Sequence, residues 1–121
     1  LSIRRQRQMC IRDSETPGPR SGPWPWGFEP ATRQRLNAAS DDDGHAYTAP
    51  VGAFLAGRAS CGALDLAGNV REWVTRAAAE PLKRVARGGS WQDSVEDCQA
   101  SRRFLVERGE ASPTTGFRLC R

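Results

Sequence analysis

No stretch of 12 or more residues in this chain keeps the 3.6-residue apolar period of an amphipathic helix. Among its 121 residues are 12 Gly and 8 Pro, which place turns at short intervals. What remains between the turns is short and strand-like. Val51 to Leu55 reads as a short strand, and Val70-Arg71-Glu72-Trp73-Val74 alternates as a strand would after the turn at Ala67-Gly68-Asn69. Arg84 to Arg87 reads as a strand stopped by Gly88-Gly89, and Gly116 to Cys120 as a final short one. Few helices and several short strands imply an irregular β-rich or α+β domain. No apolar run approaches the ~20 residues that a membrane-spanning helix needs.

Charge is unevenly placed. The formal net charge is +4, yet residues 1–40 hold seven Arg against three acids, and residues 41–121 hold eleven basic against eleven acidic residues. A nucleic-acid module would carry a basic stripe across its folded core with interleaved aromatics. Here the bias lies outside any periodic segment, so no nucleic-acid partner is expected. Residues 1–14, LSIRRQRQMCIRDS, have no apolar core of a signal peptide. They begin with Leu1 and read as sequence foreign to the domain. The expected division is a disordered or non-native arm over 1–22 and a folded part over 23–121.

Five of the eight prolines fall in residues 15–30, which marks extended or turn-rich backbone. In an extended strand Trp24 and Trp26 would share a face, and their expected role is to anchor this loop onto the core. Trp73 and Trp91 follow strand-like patterns and are expected in core packing. Arg102, Arg103 and Arg108 read as a solvated charged face. His45 beside Asp41 to Asp43 lacks a positioned nucleophile, so a turn histidine is expected rather than a catalytic one.

Several segments in order carry a resemblance. They are Pro25-Trp26-Gly27, Thr48-Ala49-Pro50-Val51, Asp65-Leu66-Ala67-Gly68-Asn69-Val70-Arg71-Glu72-Trp73, Arg84 to Trp91 (RVARGGSW) and Gly116-Phe117-Arg118. Their order and spacing resemble the C-terminal half of the formylglycine-generating enzyme family, the sulfatase-modifying factors. The resemblance implies a variant of the C-type lectin fold, α+β and irregular, with bound calcium. A complete family domain is roughly twice this length, so a truncated domain is expected.

The resemblance also implies two calcium sites. Calcium takes six to eight oxygens from carboxylates, amides and carbonyls. Carried over residue by residue, the first site is Asn37, the Ala38 carbonyl, Asp43 and the His45 carbonyl. The second is Asp65, the Gly68 and Val70 carbonyls, and Glu72. Read without the resemblance, Asp43 caps a turn and Glu72 pairs with an arginine on the surface.

Active family members, as the resemblance implies, oxidise a client cysteine to formylglycine with oxygen and two Cu(I)-binding thiolates. That pair is spaced C-x4-C, three residues after GGS. Here the count lands on Asp93 and Cys98. One thiolate and one hard carboxylate make a poor Cu(I) site, so copper-dependent activity is not expected in this copy. A Cys61–Cys98 or Cys98–Cys120 disulfide is open, as are buried free thiols.

Three functions follow. The first is a formylglycine-generating-enzyme-like domain whose ancestors oxidised a protein or peptide client. The second is a calcium-stabilised lectin-like binding module displaying residues 92–115. The third is an accessory domain of a larger oxidoreductase or signalling protein. The compartment stays open.

Overall fold

The computed structural model describes residues 22–40, 42–77 and 80–118. Residues 1–21 of the expected arm lie outside it, as do Cys10, Asp41 and Cys120. Regular structure among the described residues consists of four strands and two single-turn 3₁₀ helices, Leu55–Gly57 and Glu96–Cys98. The strands are β1 (Arg71–Ala77), β2 (Lys83–Arg87), β3 (Phe104–Glu107) and β4 (Thr115–Gly116). This small α+β domain is dominated by a mixed sheet in the order β3-β2-β1-β4.

The alternating Arg71-Glu72-Trp73-Val74 segment forms the first half of β1, as its period predicts. It pairs antiparallel with β2, Glu72 facing Arg87 and Trp73 facing Ala86. It also pairs in parallel with β4, Arg71 facing Thr115 and Glu72 facing Gly116. A register shift between Trp73 and Ala77 bends the strand. β2 is buried at Val85, Ala86 and Arg87, so the layers cover both of its faces.

Two strand expectations need correction. Val51 to Leu55 is not a strand: Val51 is 90% exposed, and Gly52 adopts a φ of +81°. Ala53 N–H donates back to Pro50 C=O, closing a turn that holds Pro50 and Gly52, two residues that disfavour a ladder. β3 lies inside residues 92–115, where a display loop was expected, and pairs Val85 with Leu105. The last strand is described only over Thr115–Gly116.

The tryptophans anchor the proline-rich segment, but through a tight turn rather than an extended strand. Trp24 and Gly27 exchange backbone hydrogen bonds of 3.3 and 3.0 Å, and the two indoles stack at 5.4 Å with 3° between planes. Both pack against the core cluster of Leu36, Ala38, Ala67 and Cys98. Trp91 is half-buried and lies in a turn, with its indole N–H on the Pro113 carbonyl.

The core itself is unusual in what fills it. Its largest fully buried side chains are Asn37, Cys98 and Ser90, while Phe28, Tyr47, Leu55 and Phe117 are exposed. Small apolar side chains supply little transfer energy. Buried polar groups then have to be hydrogen-bonded, and they set which loops meet. No described helix is long and apolar enough to cross a membrane.

Candidate functional site

Asp93 and Cys98, the two positions picked out by counting from the GGS turn, lie in the connection between β2 and β3. Gly88 and Gly89 turn the chain there, and a Cβ on Gly89 would lie 2.5 Å from Cys98 Sγ. Glycine is thus required at 89 both by its φ of +69° and by this contact. Cys98 is fully buried, free and the last residue of the 3₁₀ turn Glu96–Cys98. Its freedom overturns both disulfides considered for it. Cys61 is disulfide-bonded, though not to Cys98. Burial pushes the Cys98 thiol up to about 12, and the charges of Asp93 and Asp97 push the same way. At neutral pH the thiol therefore stays protonated.

Asp93 is committed elsewhere. Its carboxylate accepts from Arg71 Nε at 2.9 Å and from Arg71 Nη2, and also from Ser90 N–H (2.8 Å) and Ser90 Oγ (2.7 Å). Burial alone would raise the Asp93 carboxyl. The hydrogen bonds from Arg71 and Ser90, with the Arg71 charge, outweigh burial and hold it below the usual carboxylate range. The Arg71 guanidinium lies over the Phe104 ring at 4.1 Å, so strand β3 holds the pair from above. A protonated thiol and a saturated hard carboxylate do not fit Cu(I).

The first set of calcium positions is tied to the second through Asn69. Asn69 takes a φ of +67°, which Asn tolerates better than most residues. Its N–H donates to Asn37 C=O (2.8 Å), and its C=O accepts from Trp91 N–H (2.8 Å). Its side chain exchanges hydrogen bonds with the backbone of Ala49, at 2.8 and 3.2 Å. One residue thus joins four segments. Beside it a Cβ on Gly68 would lie 2.3 Å from the Asn37 carbonyl oxygen, which explains the Gly-Asn pair.

Asn37 Nδ2 donates to Tyr47 C=O at 2.7 Å, which fixes the amide orientation. Its Oδ1 is then buried with no hydrogen-bond partner. A buried, aimed amide oxygen without a donor suits a cation ligand. Asp43 is half-buried, and its Oδ1 accepts from the His45 N–H at 2.8 Å, which orders the turn. The Ala38 carbonyl accepts from Ser40 N–H, and the His45 ring packs edge-on to Phe54. Of this set, Asn37 Oδ1 is the buried oxygen left open to a cation, while Asp43 and the Ala38 carbonyl each accept a hydrogen bond within their own turn. Among the described residues no group of three or more His, Cys, Asp or Glu is placed to hold a metal.

The second set is engaged differently. Asp65 has a φ of +57°, and its Oδ2 accepts from Gly52 N–H at 2.7 Å. Gly68 N–H donates to Gly88 C=O at 2.7 Å, and Val70 is half-buried beside Gly116. Glu72 accepts from Arg118 through both oxygens, Nε at 3.0 Å from Oε2 and Nη2 at 2.7 Å from Oε1. The guanidinium reaches on to the Leu64 carbonyl at 2.7 Å and the Asp65 carbonyl at 3.3 Å. A positive charge already lies among these oxygens, so the set does not fit a second calcium ion.

The family model described as "Sulfatase-modifying factor enzyme 1-like domain" matches residues 14–121. The chain belongs to the sulfatase-modifying factor family. Two curated relatives align with it. Hercynine oxygenase of Mycobacterium tuberculosis is 33% identical over 106 residues, 69% of this chain and 23% of that protein. Chaperone protein LppX of Paenibacillus barcinonensis is 30% identical over 108 residues, 85% of this chain and 34% of its own length. PvdO from Pseudomonas aeruginosa shares the fold, with a TM-score of 0.70 at 22% identity over 97% of this chain and 49% of that one. Treponema denticola variable protein 1 has a TM-score of 0.59 at 25% identity, over 78% of this chain and 39% of its own. CarF has a TM-score of 0.59 at 28% identity, over 78% and 35%. The chain spans about a quarter to a third of the two curated relatives and half or less of these structures.

Sequence reasoning missed three members of this sulfatase-modifying-factor core. The sequence marks Asn69 as a turn residue and gives no sign of its role as a hub. Arg71 and Arg118 stand in the sequence only as parts of motifs, and the arginine expected to pair with Glu72 is not identified there. Their partners lie 22 and 46 residues away, and no local spacing signals such pairs.

Proposed function

We propose that this chain is a non-catalytic member of its family, a C-type-lectin-like scaffold that presents residues 92–115 to a protein or peptide ligand. One observation carries the reading. Cys98 is a buried thiol with its titration pushed up to about 12, and Asp93 is locked onto Arg71. Neither position offers a thiolate to copper, and without the pair the family's oxygen-dependent cysteine oxidation has no metal site here. The proposed display segment is built for contact. Gln92, Arg102, Arg103, Leu105 and Arg108 are exposed, while Ser90, Cys98 and Ala100 fix its floor. Among the described residues β3 has β2 on one side and is the outermost strand of the sheet, a position suited to strand addition. Likeness to a variable protein of Treponema denticola supports the display role. A calcium ion held by Asn37, the Ala38 and His45 carbonyls and Asp43 would stiffen the loop that backs it.

The 33% identity to hercynine oxygenase supports a second reading, an accessory part of a larger oxidoreductase whose chemistry lies outside this chain. Competition titration with a chromogenic Cu(I) chelator tests the main reading. The expected result is no transfer of Cu(I) to the folded protein. Stoichiometric transfer that is lost in Cys98→Ala would overturn it.

A further inference from the structure

We propose that the Arg118 guanidinium is the resident cation of the Asp65–Glu72 turn, standing where the family resemblance puts a calcium ion. The sheet delivers it there. β4 pairs in parallel with β1, setting Gly116 opposite Glu72. Arg118 follows two residues beyond, and its side chain reaches back to Glu72. Its Nη2 then meets Leu64 C=O (2.7 Å), Asp65 C=O (3.3 Å) and Glu72 Oε1 (2.7 Å), and its Nε lies 3.2 and 3.0 Å from the two Glu72 oxygens. A planar fork on a carboxylate and on successive turn carbonyls supplies fixed directions as well as charge.

The carbonyls of a turn aimed inward need a positive group, and calcium or a guanidinium can supply it. The positive φ of Asp65 and of Gly68 turns the backbone here into the shape that converges those oxygens. Glu72 and Arg118 are 15% and 30% exposed, so water screens the pair little. A divalent ion entering this set would be repelled by the arginine and would find Glu72 already satisfied. The turn therefore carries its cation in the chain and needs none from solution. This inference does not depend on the non-catalytic reading.

The test counts calcium ions bound per chain by calorimetry, with thermal melts in parallel, on the full chain. Wild type, Glu72→Gln, Arg118→Gln and the double variant are compared, and Asp43→Asn reports separately on the Asn37 set. Glu72→Gln is expected to leave the calcium count unchanged. Arg118→Gln is expected to bind one ion more than wild type and to melt higher when calcium is added. The double variant is expected to lose that gain. If Arg118→Gln is unfolded alone, refolding on added calcium supports the proposal, and remaining unfolded counts against it. Arg118→Lys keeps a positive charge and is expected to gain no ion. A calcium count that falls in Glu72→Gln, no gain in folded Arg118→Gln, or a gain in Arg118→Lys overturns the proposal.

Discussion

Asp93→Asn isolates the pair that holds the GGSW turn onto the sheet. The substitution keeps the shape and an acceptor for Ser90 but removes the charge facing Arg71. The two side chains are 12% and 23% exposed. Breaking a fully buried pair costs about 3–5 kcal/mol, and an exposed pair contributes about 0–1 kcal/mol. At this intermediate burial the expected loss is about 2–3 kcal/mol. For a chain of this size that corresponds to a fall in Tm of about 8–12 °C. The pH dependence has a definite sign. The Asp93 carboxyl is held below its usual range. Its contribution is therefore complete above the ordinary carboxylate pKa of about 3.9 and is lost as pH falls through the lower, folded-state value. Circular-dichroism melts of both proteins from pH 7 downward should show a constant gap that narrows only below about pH 4. Adding Arg71→Met to Asp93→Asn should cost at least ~1 kcal/mol less than the sum of the single changes. A Tm for Asp93→Asn within about 1 °C of wild type at pH 7 would refute the claim that this pair holds the loop.

Asn69→Ala should cost about 2–4 kcal/mol, because it strands the Ala49 N–H and C=O in a buried site and strains a positive φ. Asn69→Gly should recover only the strain, and urea melts separate the two. Gly89→Ala should prevent folding, since its Cβ would lie 2.5 Å from Cys98 Sγ and 2.8 Å from Cys98 Cα. Soluble, cooperatively melting protein from that variant would contradict the packing described. Cys98 should resist iodoacetamide at pH 8 until the protein is unfolded, whereas alkylation of native protein at the rate of a free thiol would contradict its burial.

The motifs in this sequence mark backbone more than chemistry. Gly68-Asn69 and Gly88-Gly89 are legible as turns because only a few residue types accept their φ values. What they bring together is not local. Asn69 meets Asn37 and Ala49 across 32 and 20 residues, and Arg118 meets Glu72 across 46. Trp24 and Trp26 are legible as anchors, because two large aromatics in a proline-rich segment have few other uses. Their geometry departs from an extended strand because Pro25 and Gly27 favour a tight turn. β3 escaped notice since its Phe-Leu-Val-Glu run is short and Leu105 is 56% exposed. Cys98 could be placed beside the family's second thiolate by counting. That it is buried and protonated depends on Gly89 and on the charges of Asp93 and Asp97 around it, which counting does not supply.

The claim that this chain lacks the family's oxidation chemistry is tested most directly on a client. A peptide with a Cys-x-Pro-x-Arg segment, incubated with the protein, Cu(I) and oxygen, reports by mass spectrometry. The account predicts that the peptide cysteine stays unconverted to formylglycine with or without copper. Copper-dependent formylglycine, lost in Cys98→Ala, would contradict it.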